Sequence, residues 1–427
     1  MVIAQHIILI VGALIFLMVG ILRGTASMQL SPLLWQSYWL RHSIILGTIP
    51  GAIISACSND ILGRKLSMLL LSLTAMLSFF FLHFANNISM AYITLILMGV
   101  SYAWALSVIP IYVSETASPY LRGPAIVFDI ICMPIGTYLS YVFLENIQIP
   151  MEFLPTIGVV SLVPIIILVT FLNESPYFLI MKNQDEKCKQ VLRKIRSGEN
   201  IEREYDDIKT AWNETHKEKS NLRGFFISLG VLSVQQFSGY ILVDSTISIV
   251  LITHPKYFSL LKHLREFQLI LIGAGLLSIF AVNLCGRKLL FKIVTIGACL
   301  GNFLVGFGFL MEENKGLSDS LGTWELIGSF IYLATIGFGL IHLPHVLSVE
   351  LLPMDIKSKG CSLLIAIAAI EGIIIEEILK AFLKHGNTVY PTYIILFVCS
   401  VLGLFFGKVP ETKMKSLPEI QKQLKYN

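Results

Sequence analysis

Twelve stretches of roughly 20 mainly apolar residues recur along this chain, and a membrane-crossing helix needs about that many. They lie near residues 6–27, 40–58, 66–86, 90–113, 124–146, 152–172, 224–251, 267–284, 289–311, 324–348, 359–384 and 390–408. In lipid every backbone polar group must be satisfied within the segment, so each stretch is expected to be a helix. Composition supports this: 55% of the 427 residues are hydrophobic and 14% charged, with a mean hydropathy of +0.74. These values exclude an ordinary soluble domain and point to an integral, multi-pass membrane protein surrounded by lipid. No small-residue cleavage site follows the first stretch, which is therefore expected to be a retained helix and not a signal peptide.

The charged residues set the expected orientation. A long charged insert, residues 173–223, separates the sixth and seventh stretches, and residues 410–427 form a charged tail. Most of the 32 basic residues fall in the insert, the tail and the loops after even-numbered stretches. By the positive-inside bias, these loops and both termini are expected on the cytoplasmic side, with the plasma membrane as the expected location. Basic residues confined to loops give no surface for a nucleic acid, and nothing suggests an obligate protein partner. Within the insert, Asp185 to Arg196 and Glu202 to Trp212 mix charged and apolar residues at helical spacing, which suggests amphipathic helices lying under the membrane. A solvated linker is the alternative for the second. Asn87-Ile88-Ser89 is a glycosylation sequon in a very short loop.

The seven cysteines lack the spacing of a disulfide framework or a zinc site, so no metal is expected. No phosphate-binding GxxxxGKS loop is present, so neither a cofactor nor ATP hydrolysis is expected. No nucleophile and base stand at recognisable spacing, so an enzyme is not expected.

Three loop motifs occur twice. Asp60-Ile61-Leu62-Gly63-Arg64-Lys65 returns as Asn283-Leu284-Cys285-Gly286-Arg287-Lys288. Glu115, Pro119 and Arg122-Gly123 return as Glu350, Pro353 and Lys359-Gly360, and Glu174-Ser175-Pro176 returns beside Pro410-Glu411-Thr412. Six stretches per half with repeated loop chemistry is the signature of a two-bundle transporter. The loops read as a closing latch: Gly63 permits a tight turn, and Arg64 can reach Glu115 or Glu174. Asp60, Lys65, Arg122, Gly286, Arg287 and Glu350 complete the set. Anchoring of the loops to lipid headgroups is the alternative.

The seventh stretch carries Gln235-Gln236-Phe237-Ser238-Gly239. Glutamine both donates and accepts hydrogen bonds, so the adjacent amides suit a hydroxyl-rich solute. Together with the loop motifs, with Pro110-Ile111-Tyr112-Val113-Ser114-Glu115 and with Pro410-Glu411-Thr412-Lys413, this stretch resembles the sugar porter branch of the major facilitator superfamily. That branch includes facilitative glucose transporters and insect facilitated trehalose transporters. The resemblance implies an all-α membrane protein of twelve transmembrane helices in two pseudo-symmetric six-helix bundles. The expected divisions are residues 1–172 (first bundle), 173–223 (cytoplasmic insert), 224–409 (second bundle) and 410–427 (tail). It also implies alternating access, with Gln235 and Gln236 binding a small solute, a sugar of the glucose or trehalose class.

The rest of the family's sugar pocket is not matched. Residues that contact sugar in relatives fall here at Ile130, Ile241, Leu271, His345 and Ala368, and the second loop motif has Asn283 and Leu284 where relatives carry an acid and an arginine. Charged residues stand within the stretches instead. Arg23 and Asp244 occupy corresponding places in the two halves and suggest an ion pair closing the outer gate, with Asp244 and His345 as further solute contacts. Glu371 and His342 could carry a proton. Charges within the stretches, Asp129, Glu376 and Glu377 among them, are expected to face the cavity or each other; the alternatives are a place near the headgroups for Asp129, six residues past Gly123, and an i,i+4 pair of Glu376 with Lys380. The alternatives to facilitated sugar transport are a proton-coupled carrier of another organic solute and a non-transporting sensor on the same scaffold. The shortness of the tail argues against the sensor.

Overall fold

The computed structural model describes residues 2–30, 38–145, 147, 149–150, 152–196, 201–217, 222–240, 264–315, 323–386, 390–406 and 409–426. Six long helices come first: α1 (Val2–Gln29), α2 (Tyr38–Ile61), α3 (Arg64–His83), α4 (Ile88–Thr116), α5 (Pro119–Glu145) and α6 (Phe153–Thr170). Three shorter ones occupy the charged insert: α7 (Pro176–Met181), α8 (Asp185–Ile195) and α9 (Ile201–Lys217). Then come α10 (Arg223–Phe237), α11 (Leu264–Leu284), α12 (Arg287–Lys315) and α13 (Thr323–Thr335), which runs through a π-helical turn, Ile336–Leu340, toward α14 (Leu343–Leu351). The chain ends with α15 (Lys357–Gly386), α16 (Tyr390–Phe405) and α17 (Leu417–Tyr426). Among the described residues nine helices are long and apolar enough to cross a membrane, and Tyr390–Phe405 is a shorter apolar one.

Contacts divide the chain into two compact units. The first comprises Met1–Ser228, His345–Ala366 and Thr412–Asn427; the second comprises Leu229–Pro344 and Ile367–Glu411. The first unit thus gathers segments from both ends of the sequence. Small residues set its tightest packing. A methyl group at Gly47 or Gly99 would run into the facing carbonyl of Ile96 or Ile44, so α2 and α4 touch along their backbones.

Protein covers the apolar faces of the insert. Its two amphipathic helices do not present their apolar faces outward. Cys188, Val191, Leu192 and Ile195 of α8 and Tyr205 and Ile208 of α9 pack with Tyr177, Leu179 and Ile180 of α7, and with Met354 and Leu417, into a small core. Lys209 donates to Asp185 (2.6 Å), tying α9 to α8, and to Tyr205 of its own helix (2.7 Å). These bonds raise the Lys209 pKa and hold the Asp185 carboxyl below its usual range. At the sequon, the Asn87 side chain accepts from the Met90 amide (2.9 Å) and caps α4.

Candidate functional site

The repeated Gly-Arg turns have one local cause. Gly63 sits at φ +95° and Gly286 at φ +77°, backbone that a side chain would strain. Space forbids one as well, since a Cβ at Gly63 would collide with the Glu174 carboxylate and one at Gly286 with that of Glu411. Each carboxylate instead accepts backbone N–H bonds at the start of a long helix. Glu174 takes Arg64 (2.9 Å), Lys65 (3.3 Å) and Ser175 (2.8 Å); Glu411 takes Arg287 (3.1 Å) and Lys288 (3.2 Å). An acid at a helix N-terminus satisfies orphan amides and complements the dipole. Burial pushes the Glu174 carboxyl up, while the N–H bonds and Arg64 pull against that shift. Glu411 therefore takes in the second unit the place that Glu174 holds in the first, which the sequence showed only as part of a repeat.

Side chains complete the first of these clusters. Arg64, fully buried, forks onto Glu115 with Nε to Oε2 and Nη2 to Oε1, both at 2.9 Å. Its Nη1 donates to the Asn59 carbonyl (3.1 Å), and its guanidinium lies 5.3 Å from the centre of the Phe178 ring. Ser175 donates to Glu115 at 2.5 Å. Lys65 donates from Nζ to the Thr170 carbonyl at the end of α6 (2.6 Å), a favourable place for a cation. Arg122, also buried, donates to the Ser114 carbonyl (3.1 Å) and the Lys415 carbonyl (3.4 Å). Glu350 accepts from Thr412 Oγ1 (2.6 Å), and the Ser107 and Ser362 hydroxyls lie 3.0 Å apart.

The two lysines that open α15 behave differently. Lys359, matched to Arg122 by its following glycine, is 71% exposed at its side chain and reaches Asp60 at 4.0 Å. Lys357 is 1% exposed, and its Nζ has no hydrogen-bond partner among the described residues. That Nζ lies 5.6 Å from the centre of the Tyr177 ring. The amine is pushed down from 10.5 to about 8, chiefly by burial, with Glu115 opposing the shift and Arg122 and Arg64 adding to it. The signal was in the spacing: Lys357 follows Glu350 by the same seven residues that separate Arg122 from Glu115. Lys357, not Lys359, is the structural counterpart of Arg122. In the second unit Arg287 is fully buried and donates from Nη1 to the Val282 carbonyl (3.2 Å).

The double-glutamine segment ends a helix. α10 stops at Phe237, and Gly239 takes φ +97° with its amide on the Gln236 carbonyl (2.8 Å). The freed Ser238 carbonyl accepts from Asn302 Nδ2 (2.8 Å) and the Tyr332 hydroxyl (2.7 Å). Gln235 is 1% and Gln236 6% exposed, and Gln236 Oε1 has no hydrogen-bond partner among the described residues. Glu371 accepts from the Ser233 hydroxyl (2.6 Å), linking α15 to α10. His342 and His345 are buried just beyond the π-helical turn, an irregularity common at functional sites and invisible to periodicity.

The remaining expectations fare unevenly. Asp244 and Ile241 lie outside the described residues, so the pairing with Arg23, a partly buried residue of α1, is not described. Asp129 does not face headgroups: it is 1% exposed, beside Gly12 and Ile109, with neither carboxylate oxygen hydrogen-bonded among the described residues. The helix starts at Pro119, so ten residues carry Asp129 into the packed interior. Lys380 lies 3.8 Å from Glu377, an i,i+3 pair. Ile130 and Leu271 are buried and apolar, as the depleted pocket implies.

The family profile described as Sugar (and other) transporter matches residues 10–424. The chain belongs to this family. Among curated relatives, Sugar transporter ERD6-like 18 of Arabidopsis thaliana is 26% identical over 391 residues, covering 89% of this chain and 81% of the relative. A facilitated trehalose transporter Tret1-2 homolog of Drosophila simulans is 25% identical, covering 90% and 81%. The proton:xylose symporter XylE bound to 6-bromo-6-deoxy-D-glucose superposes with a TM-score of 0.86 at 19% identity, over 99% of each chain. The major facilitator fold of this sugar transporter family member is thereby shown, and an integral multi-pass membrane protein with it.

Proposed function

We propose that this chain carries a sugar of the glucose or trehalose class across a membrane by alternating access, as facilitated diffusion. Gln236 carries the reading. A buried amide oxygen without a protein partner costs about 1–3 kcal/mol, and a solute hydroxyl donating to it recovers that cost. Gln235 precedes it on the same helix, and His345 and Asp244 are further contacts of the proposed site. The relatives named for sugar and trehalose transport support the solute class.

In this reading the end bearing the Gly-Arg turns is cytoplasmic, with both termini, and the membrane is the plasma membrane. Asp60, Gly63, Arg64, Lys65, Glu115, Arg122 and Glu174, with Gly286, Arg287 and Glu350, hold that end closed. Their bonds must break for solute release. The test is uptake of labelled glucose, trehalose and xylose into vesicles holding the purified protein, with and without a proton gradient. Saturable uptake of one of them that ignores the gradient is the expected result. Uptake of none sinks the solute class, and gradient-driven accumulation sinks facilitated diffusion.

A further inference from the structure

Sugar recognition by neutral groups leaves Glu371 of the second unit unexplained. Glu371 stands in the middle of α15, well inside an apolar stretch, where a charge is costly to bury unless it is paired or wetted. One of its oxygens, Oε1, accepts from Ser233 at 2.6 Å. The other, Oε2, is shielded from the surface and has no hydrogen-bond partner among the described residues. Lys380, the one lysine nearby on the same helix, is nine residues further along, roughly 13 Å by helical rise, and lies against Glu377 at 3.8 Å.

Ser233 also locates this carboxylate relative to the proposed sugar site. Gln236 follows Ser233 by three residues, so the two share a face of α10. The Ser233 hydroxyl is committed to Glu371, and the Gln236 amide oxygen is left open on that face. The two unsatisfied groups are therefore both acceptors, and one of them is a carboxylate. A solute that satisfies both must bring donors, and a charged donor is the complement that also offsets the buried charge.

We propose that Glu371 receives a protonated amine of the solute while Gln236 accepts from a neighbouring hydroxyl, which makes an amino sugar the preferred substrate. The inference rests on the reading of Gln235-Gln236 as the sugar site and adds to it a selectivity that neutral sugars do not satisfy. A charge-assisted hydrogen bond is roughly twice as strong as a neutral one, so the preference should be large enough to read as a ratio of rates.

The experiment uses vesicles holding the full-length protein at about pH 6.5, where an amine of ordinary basicity is protonated. Glucosamine, glucose and N-acetylglucosamine are supplied separately and in competition. The expected result is glucosamine uptake about tenfold above either neutral sugar, the step that one charge-assisted contact supplies. In Glu371→Gln, which keeps shape and removes charge, the ratio of glucosamine to glucose uptake falls toward one. Ser233→Ala, which frees Oε1 but keeps the charge, retains the preference, and a size-exclusion profile confirms that both variants are folded.

Equal uptake of the three sugars by the unaltered protein overturns the inference and leaves the sugar reading standing. So does an unchanged ratio in Glu371→Gln. Loss of gradient-driven accumulation in Glu371→Gln without a change of ratio assigns the carboxylate to a proton and overturns it as well. Uptake of no sugar, neutral or amino, removes both readings together.

Discussion

Replacing Glu115 with glutamine tests the latch at its most exposed point of logic, because the substitution changes charge and almost nothing else. Glutamine has the size of glutamate, so no cavity opens. What remains is a fully buried Arg64 guanidinium whose fork has lost its carboxylate and keeps the Asn59 carbonyl, the Met181 sulfur, the Phe178 ring and at most one neutral amide oxygen. Removing one partner of a buried ion pair costs about 3–5 kcal/mol, against at most about 1 for a pair on the surface. The Ser175 hydroxyl, 2.5 Å from the lost carboxylate, adds a smaller loss. Exchanging both partners for apolar residues, Arg64→Met with Glu115→Leu, should return stability to within about 1–2 kcal/mol of the original, since a packed apolar pair replaces a desolvated one. The Glu174 cradle would survive in that double variant, because it uses the Arg64 backbone amide.

Two assays read the result. Thermal stability of the purified protein, followed by size exclusion, gives the energetic side as a double-mutant cycle with strong coupling between the two positions. Alkylation of Cys361, which is 3% exposed near the start of α15, gives the conformational side. In a variant retaining only that cysteine, Glu115→Gln should speed its labelling as the latched end opens. A loss below about 1 kcal/mol with unchanged protection of Cys361 would refute the argument that this pair holds the end closed.

Further expectations follow from other parts of the same region. Because the Lys357 pKa is depressed to about 8 from 10.5, the folded state binds fewer protons than the unfolded one between those values. Stability should therefore rise as pH climbs from about 8 toward 10.5, and Lys357→Met should abolish the rise while leaving the protein at least as stable at neutral pH. Gly63→Ala should cost on the order of 1–3 kcal/mol through backbone strain and expel Glu174 from the turn, seen as a lower melting temperature; an unchanged one would mean the turn is not required. Gln236→Leu should weaken uptake about tenfold, as the loss of one solute hydrogen bond implies, whereas uptake at the original rate would remove Gln236 from the site.

Much of the architecture was legible because the membrane leaves few choices. An apolar run of 20 or so residues must be helical, and the glycine before Arg64 or Arg287 must turn, since backbone near φ +90° excludes side chains. The pairing of Arg64 with Glu115 was also readable, from a buried-end acid and base recurring in fixed order. The fate of the insert was not. Amphipathic periodicity says that α8 and α9 each have an apolar face, but it cannot say whether lipid or protein covers it. Tyr177, Leu179 and Ile180 of α7, with Met354 and Leu417 from distant parts of the chain, make the covering surface, and only the fold brings them there. The headgroup alternative for Asp129 fails for a related reason: distance from a loop motif measures depth along a helix, not which neighbour the residue faces.

Lys357 and Lys359 show how a motif can mislead within one turn of helix. Matching the pair to Arg122-Gly123 by the glycine selects Lys359, because Gly360 follows it. Counting from the acid selects Lys357, seven residues past Glu350 as Arg122 is past Glu115. The two lysines differ by two positions, roughly 200° around the axis at 3.6 residues per turn, so they cannot share a face. The structure decides for the acid's register: Lys357 is buried near Glu115 and Arg122, and Lys359 is exposed. The glycine belongs to local packing, since a Cβ at Gly360 would meet Leu352. The substitution also has a consequence that a guanidinium would avoid. An arginine stays charged when buried and distributes several donors, as Arg122 does onto two carbonyls; a lysine offers one ammonium whose charge burial opposes. The second repeat therefore presents a lysine whose amine burial pushes down to about 8, and the first, through Arg64 and Glu115, carries a buried ion pair.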